Sequence, residues 1–122
     1  SNKDLLSEIQ QLENLKINDQ AYTNNISLGE IEKFSSIIKK QVVDNWNKPK
    51  GVSQNLKTEI EIDMVPTGEI LSYRILKGSG NEAFDESAMK AISRVNTFDG
   101  LVMQPKLFDD HFRKFILIFS PE

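Results

Sequence analysis

The chain has no cysteine. That single absence removes a thiol nucleophile, a thiolate metal site and a disulfide staple, and it leaves the redox compartment unread. Imidazole chemistry is confined to His111, the one histidine. No Lys/Arg block exceeds a doublet and the formal net charge is −3, so the electrostatic footprint of a nucleic-acid binder is missing. The longest apolar run, Phe115 to Phe119, falls far short of a membrane span of about 20 residues. No signal-peptide pattern is present. The opening Ser1-Asn2 reads as a cloning remnant, which leaves room for a targeting segment upstream. With 122 residues, 39% of them apolar, the chain suits one domain with a short extension, and it is long enough to bury a sizeable core.

The order of elements follows from the changing hydrophobic period. Leu5, Ile9 and Leu12 recur at helical spacing among polar residues, so residues 4 to 16 read as a short amphipathic helix. Asn18 to Asn25 is polar and non-periodic and reads as a linker. Ser27-Leu28-Gly29-Glu30 has the form of a capping box, with Ile26 and Ile31 placed as a hydrophobic staple. Ile31, Phe34, Ile38 and Val42 then form one helical stripe, expected to stop near Trp46 because Pro49 and Gly51 follow. Ile60, Ile62 and Met64 alternate with Glu59, Glu61 and Asp63, which predicts a strand with one buried face. Val65-Pro66-Thr67-Gly68-Glu69 is a hairpin turn, and Ile70 to Leu76 the returning strand. Beyond the break at Gly78-Ser79-Gly80, a second helix places Phe84, Ala88, Ala91, Ile92 and Val95 on one face, with Asn81 or Asp85 as its cap. Asn96 to Asp110 reads as a loop with at most a helical turn, and Phe112 to Phe119 as a final strand.

Helix, hairpin, helix, strand allows the last strand to lie beside the first, antiparallel to it, in the order 2-1-3. Acidic residues on one face of the first strand leave only the other face for helices. The expected fold is a two-layer α+β domain, with residues 1–25 as a helix and linker and 26–122 as the domain proper. Trp46, Ile62, Phe84, Ile92 and Leu117 are expected to share its hydrophobic centre.

Three constellations invite a chemical role. Gly78-Ser79-Gly80-Asn81-Glu82-Ala83 fits a dinucleotide-binding pattern, yet it follows an antiparallel hairpin and puts Glu82 where a pyrophosphate would sit. A strand-to-helix turn is the simpler reading. Asp109-Asp110-His111 resembles part of a metal or general-base site but has no second ligand cluster, and it reads as a solvated turn. The row Glu59, Glu61 and Asp63 could hold calcium or a basic partner, although such alternation is ordinary on a water-facing strand. No serine has an evident triad partner. Trp46, a residue type enriched at interfaces, is in this position more often a packing anchor.

A family resemblance sharpens the reading. Phe34, Ile38 and Asn45-Trp46, followed by Pro49 and Gly51, resemble the opening of the TolA/TonB C-terminal family. Pro66-Thr67-Gly68-Glu69-Ile70 is similar to its hairpin, and Gly78 to Ala88 with Ala91-Ile92 to the start of its second helix. Phe112 to Glu122 resembles the terminal strand of TolA proteins, whose periplasmic domain III has this character, and the likeness covers about residues 31 to 122. Two departures stand out. The family often has a proline after the phenylalanine that follows the second helix, where this chain has Phe98-Asp99-Gly100, and some members carry a disulfide. The resemblance implies a periplasmic protein-binding tip of an inner-membrane-anchored protein, with no enzymatic activity, no cofactor, no nucleic acid and no small-molecule substrate. Its implied partners are TolB and Pal, TolQ/TolR through an anchor and stalk, and colicins or phage coat protein as exploiters of the cell-envelope system. A TonB C-terminal domain serving outer-membrane transporters is the alternative, disfavoured by Phe115-x-Leu117-x-Phe119-x-Pro121-Glu122. Residues 4 to 16 are then the end of the stalk or an added helix.

One surface is expected to bind the partner. As an outer strand, residues 112 to 119 offer unpaired backbone groups, and such an edge templates strand addition. If Phe115, Leu117 and Phe119 point inward, Ile116 and Ile118 lie on the face that carries Glu59, Glu61 and Asp63. The partner-binding set is therefore Lys114, Phe115, Ile116, Leu117, Ile118 and Phe119, with a TolB segment adding alongside. A helix over residues 4 to 16 folding back across the isoleucines is the competing explanation.

Overall fold

The computed structural model describes residues 26–121. The helix expected over residues 4 to 16, and any packing of it on the sheet, lie outside the described residues. The first helix, α1, spans Ile26–Asp44, and its stripe Ile31, Phe34, Ile38 and Val42 is buried throughout. The helix already includes Ile26, so Ser27 sits inside its first turn rather than at the capping position expected for it. A capping box favours a start but carries nothing that stops a helix, and no proline or glycine precedes Ser27 closely enough to do so. At the other end α1 stops at Asp44, slightly before Trp46. The Asn45 and Trp46 amides continue as tighter contacts to the Val42 and Val43 carbonyls at 3.0 and 3.1 Å, the usual way a last turn satisfies its orphan groups.

The hairpin follows its sequence signals. Strand β1 is Thr58–Met64 and β2 is Ile70–Lys77. Between them the Gly68 amide donates to the Val65 carbonyl at 2.8 Å with Gly68 at φ 94°, a conformation that glycine adopts freely. The same glycine is also a close-approach point, because a Cβ there would lie 2.2 Å from the Phe98 carbonyl oxygen.

Helix α2 spans Glu82–Val95, and Asn81, one of the two candidate caps, is the cap: its side chain accepts from the Phe84 amide at 3.0 Å. Strand β3 is Lys114–Phe119, two residues shorter than expected. Phe112 instead ends a π-helical turn, Phe108–Phe112, entered through the short α3, Pro105–Leu107. The wider turn, closed by the Arg113 amide on the Phe108 carbonyl at 2.9 Å, buries both phenylalanines. Phe112 packs edge-on against Phe34 and Phe115, with ring centroids 6.2 and 6.4 Å away. Aromatic burial outweighs the strand preference of that residue, a contest that local propensity does not register.

The sheet is fully antiparallel in the order β2-β1-β3, and the helices cover one face of it. Ile60, Ile62 and Met64 from β1 and Phe115, Leu117 and Phe119 from β3 meet α1 and α2 there. Ile62, Phe84 and Ile92 are completely buried and Leu117 nearly so, while Trp46 packs against this centre from its half-buried rim. On the other face Glu59, Glu61 and Asp63 are half-buried among their neighbours. Arg74 donates to Glu61 at 3.1 Å, and Lys114 lies 3.6 Å from Asp63, so two of the three acidic residues are held by cations of the flanking strands.

Candidate protein-binding edge

A three-stranded sheet has two outer strands, and the two differ here. Along β2 the pairing with β1 slips twice: Leu76 is passed over between the pairs Glu59–Lys77 and Ile60–Ile75, and Leu71 between Asp63–Ser72 and Met64–Ile70. Bulges of this kind twist an edge and interrupt its row of donors and acceptors. The start of β2 is also occupied, since the Ile70 amide donates to the Asn96 carbonyl at 2.9 Å and the Phe98 amide to the Gly68 carbonyl at 2.8 Å. Residues 96–98 thus act as a short fourth strand that closes part of this edge, with Glu69 paired to Thr97.

Among the described residues strand β3 has neither defence. Its register against β1 is unbroken from Asp63–Lys114 to Thr58–Phe119. The Met64 amide donates to the Arg113 carbonyl at 2.9 Å, which sets the phase of the ladder. Because hydrogen-bonded pairs alternate in an antiparallel sheet, Phe115, Leu117 and Phe119 direct their backbone groups to β1. Lys114, Ile116 and Ile118 direct theirs outward. The six residues expected to bind a partner therefore divide into two sets. Phe115, Leu117 and Phe119 have buried side chains and satisfied backbones. Lys114, Ile116 and Ile118 combine an outward backbone with a side chain on the open face, where the isoleucines are half-buried.

Beside this edge runs a groove of about 230 Å³ between α1 and β3. One wall is Lys39, Val42, Val43 and Trp46, and the other is Leu117 to Ser120. It touches Ile118 as well as Leu117 and Phe119, residues of opposite faces, so it opens at the outer edge of β3. Trp46 is fixed as its wall: the ring stands edge-on to Phe84 and Phe119 at 5.7 and 5.2 Å, and Nε1 donates to the Ser87 hydroxyl at 3.0 Å. The tryptophan is thus a packing anchor that also borders the edge. Sequence reasoning overlooked Lys39 and Val43. The available signal was Val43 itself, an apolar residue off the core stripe, which the structure leaves 61% exposed.

The tempting chemical motifs resolve into structure. The carboxylate of Asp85 accepts from the Ser79 amide at 3.0 Å and the Thr58 hydroxyl at 2.6 Å, filling the glycine turn with the chain's own anion. Burial alone would raise the Asp85 pKa, but those hydrogen bonds outweigh it and hold the group below its ordinary value. Asp109 pairs with Arg113 at 2.6 Å and Asp110 with Lys106 at 3.0 Å, each across one helical turn. Among the described residues no three His, Asp or Glu side chains cluster as metal ligands. No helix among them is long and apolar enough to cross a membrane.

Known proteins resemble this chain in sequence and in fold. The chain is 29% identical over 90 residues to the Tol-Pal system protein TolA of Pseudomonas aeruginosa, covering 73% of this chain and 26% of that protein. It therefore spans about a quarter of the length of that curated relative. It superposes with a TM-score of 0.65 and 30% identity on the solution NMR structure of TolAIII bound to a peptide derived from the N-terminus of TolB, over 71% of each chain. Residues 31–101, which run from α1 through the hairpin and α2, match the sequence model of the family described as TonB C terminal. Since that match covers more than half of the chain, taking in β1, β2 and α2 and most of α1, the chain belongs to the TonB C-terminal family.

Proposed function

We infer that this domain is the periplasmic tip of a TolA-like component of the Tol-Pal system, and that it binds the N-terminal segment of TolB by strand addition alongside β3. The observation that carries this reading is the unbroken outer edge of β3 in a domain that resembles a TolAIII bound to a TolB peptide. Main-chain pairing at Lys114, Ile116 and Ile118 supplies affinity without any active-site chemistry, so the domain acts as a grip and not as an enzyme. Its position as the end of an inner-membrane-anchored protein, force transmission from TolQ/TolR, contact with Pal, and capture by colicins or phage belong to the same reading. They rest on the family resemblance alone.

Amide chemical-shift mapping with the N-terminal TolB peptide of the same organism tests it. Shifts are expected along residues 114–119, and Ile118→Lys, which places a charge beside the outward edge, should weaken binding without unfolding the domain. Shifts confined to the helices, or unchanged affinity in a folded Ile118→Lys variant, would rule this edge out.

A further inference from the structure

Backbone pairing selects little, because every residue except proline offers the same donor and acceptor. Selectivity for a strand added to β3 must come from the side chains that flank it. On the open face Lys114 is already engaged by Asp63 at 3.6 Å and Glu61 at 4.0 Å. The helical face is different. There the added strand would pass the groove walled by Val42, Val43, Trp46, Leu117 and Phe119, with Lys39 at its rim.

Two features define what this groove accepts. At about 230 Å³ it lies below the range of about 300–1,000 Å³ typical of small-molecule sites, and its walls are mainly apolar. Its extent also fits a short strand. From Lys39 to the end of α1 the helix rises about 7.5 Å, with Trp46 just beyond, and Leu117 to Ser120 covers about 10 Å. Its charge is one-sided. Lys40 is neutralised by Asp44 at 3.0 Å, whereas Lys39 makes no ion pair among the described residues, and no carboxylate lines the groove. A lysine in this position lays its aliphatic stem along the apolar wall and keeps its ammonium at the mouth.

We propose that the groove reads the partner strand by side chain: an apolar residue seats against Val43, Trp46 and Phe119, and an acidic residue on the same face of that strand pairs with Lys39. The spacing supports the pairing. Lys39 and Val43 stand about 6 Å apart along the helix, close to the roughly 6.7 Å between alternate residues of a strand. The recognised segment therefore carries its acidic and apolar residues two positions apart. This inference rests on strand addition at β3 and adds the chemistry of the segment that is added.

The test uses the N-terminal TolB peptide of the same organism and a panel in which each position in turn is glutamate, glutamine or lysine. Each is titrated by amide chemical shift against wild type, Lys39→Glu, Lys39→Gln and the control Lys40→Glu. One peptide position should favour glutamate over lysine about three- to fivefold in wild type, the range of an exposed ion pair, and less so as salt rises. That preference should reverse in Lys39→Glu, vanish in Lys39→Gln and persist in Lys40→Glu. Aspartate at the apolar position two residues away should weaken binding to every variant. If the peptide shifts Lys114, Ile116 and Ile118 while Lys39→Glu leaves the charge preference unchanged at every position, the groove does not read charge, though strand addition stands. If no amide of β3 shifts in wild type, strand addition itself fails, and this inference with it.

Discussion

The Asp85 side chain ties together the start of β1, the turn after β2 and the first turn of α2 through Thr58, Ser79 and its own backbone. Its ionised form is favoured in the folded protein, with a pKa lowered against the opposing effect of burial. The sign of the linkage follows. The stabilisation is fully present above the ordinary aspartate value of about 3.9 and is lost as pH falls through the lower folded value. Asp85→Asn should cost about 2 kcal/mol in urea melts at neutral pH, since hydrogen bonds to charged groups are among the stronger ones, and should flatten the acid limb of the stability profile. An acid limb identical to wild type would sink this assignment. Two glycines make an opposed pair. Gly68→Ala meets the Phe98 carbonyl at a positive φ and should destabilise by about 2 kcal/mol or more. Gly29→Ala, in open space within α1, should stabilise by about 0.5–1 kcal/mol, and thermal melts of the two should shift in opposite directions.

At the scale of elements, α2 is held by its apolar face and β3 by its ladder. Ile92 is completely buried between α2 and the sheet, so Ile92→Ala should lose about 2–5 kcal/mol. A loss below half a kcal/mol in a urea melt would mean that face carries little of the core, whatever its burial. The alternation of β3 gives a sharper contrast. Proline removes one backbone donor, which an outer strand tolerates where that donor faces solvent. Ile118→Pro should leave the ladder to β1 intact, lower stability modestly and abolish partner pairing, whereas Leu117→Pro should unfold the domain. Circular dichroism and peptide titration together read both effects. Equal damage from the two would overturn the assigned phase of the edge. The asymmetry between the two outer strands is itself an element-scale property: β2 is bulged and partly closed by residues 96–98, and β3 is neither. The Gln41 side chain adds to the closure of that loop, accepting from the Asp99 amide at 3.0 Å and donating to the Asp99 carbonyl at 2.8 Å. A proline at this position, frequent in the family, would have no amide to donate.

For the molecule as a whole, the buried cluster draws on α1, β1, α2, the segment 105–112 and β3, with Ile70 and Tyr73 of β2 packed against it, so a fragment of residues 26–122 should fold cooperatively and melt within a few degrees of the 122-residue chain. Loss of a cooperative transition would place part of the fold upstream. The elements and their buried faces were legible in the sequence because they rest on periodicity, two for Ile60, Ile62 and Met64 and near 3.6 for Ile31, Phe34, Ile38 and Val42, and the strand order followed from the order of those elements. The hairpin was legible because Gly68 is needed for the turn, although the Phe98 carbonyl pressing on it was not. The ends of elements were less so. Phe112 has a strand former's side chain, but Phe34 and Phe115 hold it in a π-helical turn, and contacts between residues far apart in the chain leave no local trace. The same holds for the candidate site. Ile116 and Ile118 could be named from alternation alone. That β3 is the unbulged edge, and that Lys39 and Val43 of α1 line a groove beside it, depends on how a helix some seventy residues upstream packs across the sheet. The sequence by itself determined which faces are apolar, because burial follows side-chain chemistry at fixed spacing. Only the tertiary structure decided which edge is left unbulged and unpaired among the described residues and what stands next to it, because those follow from the register of strands and the seating of helices, which no single segment encodes.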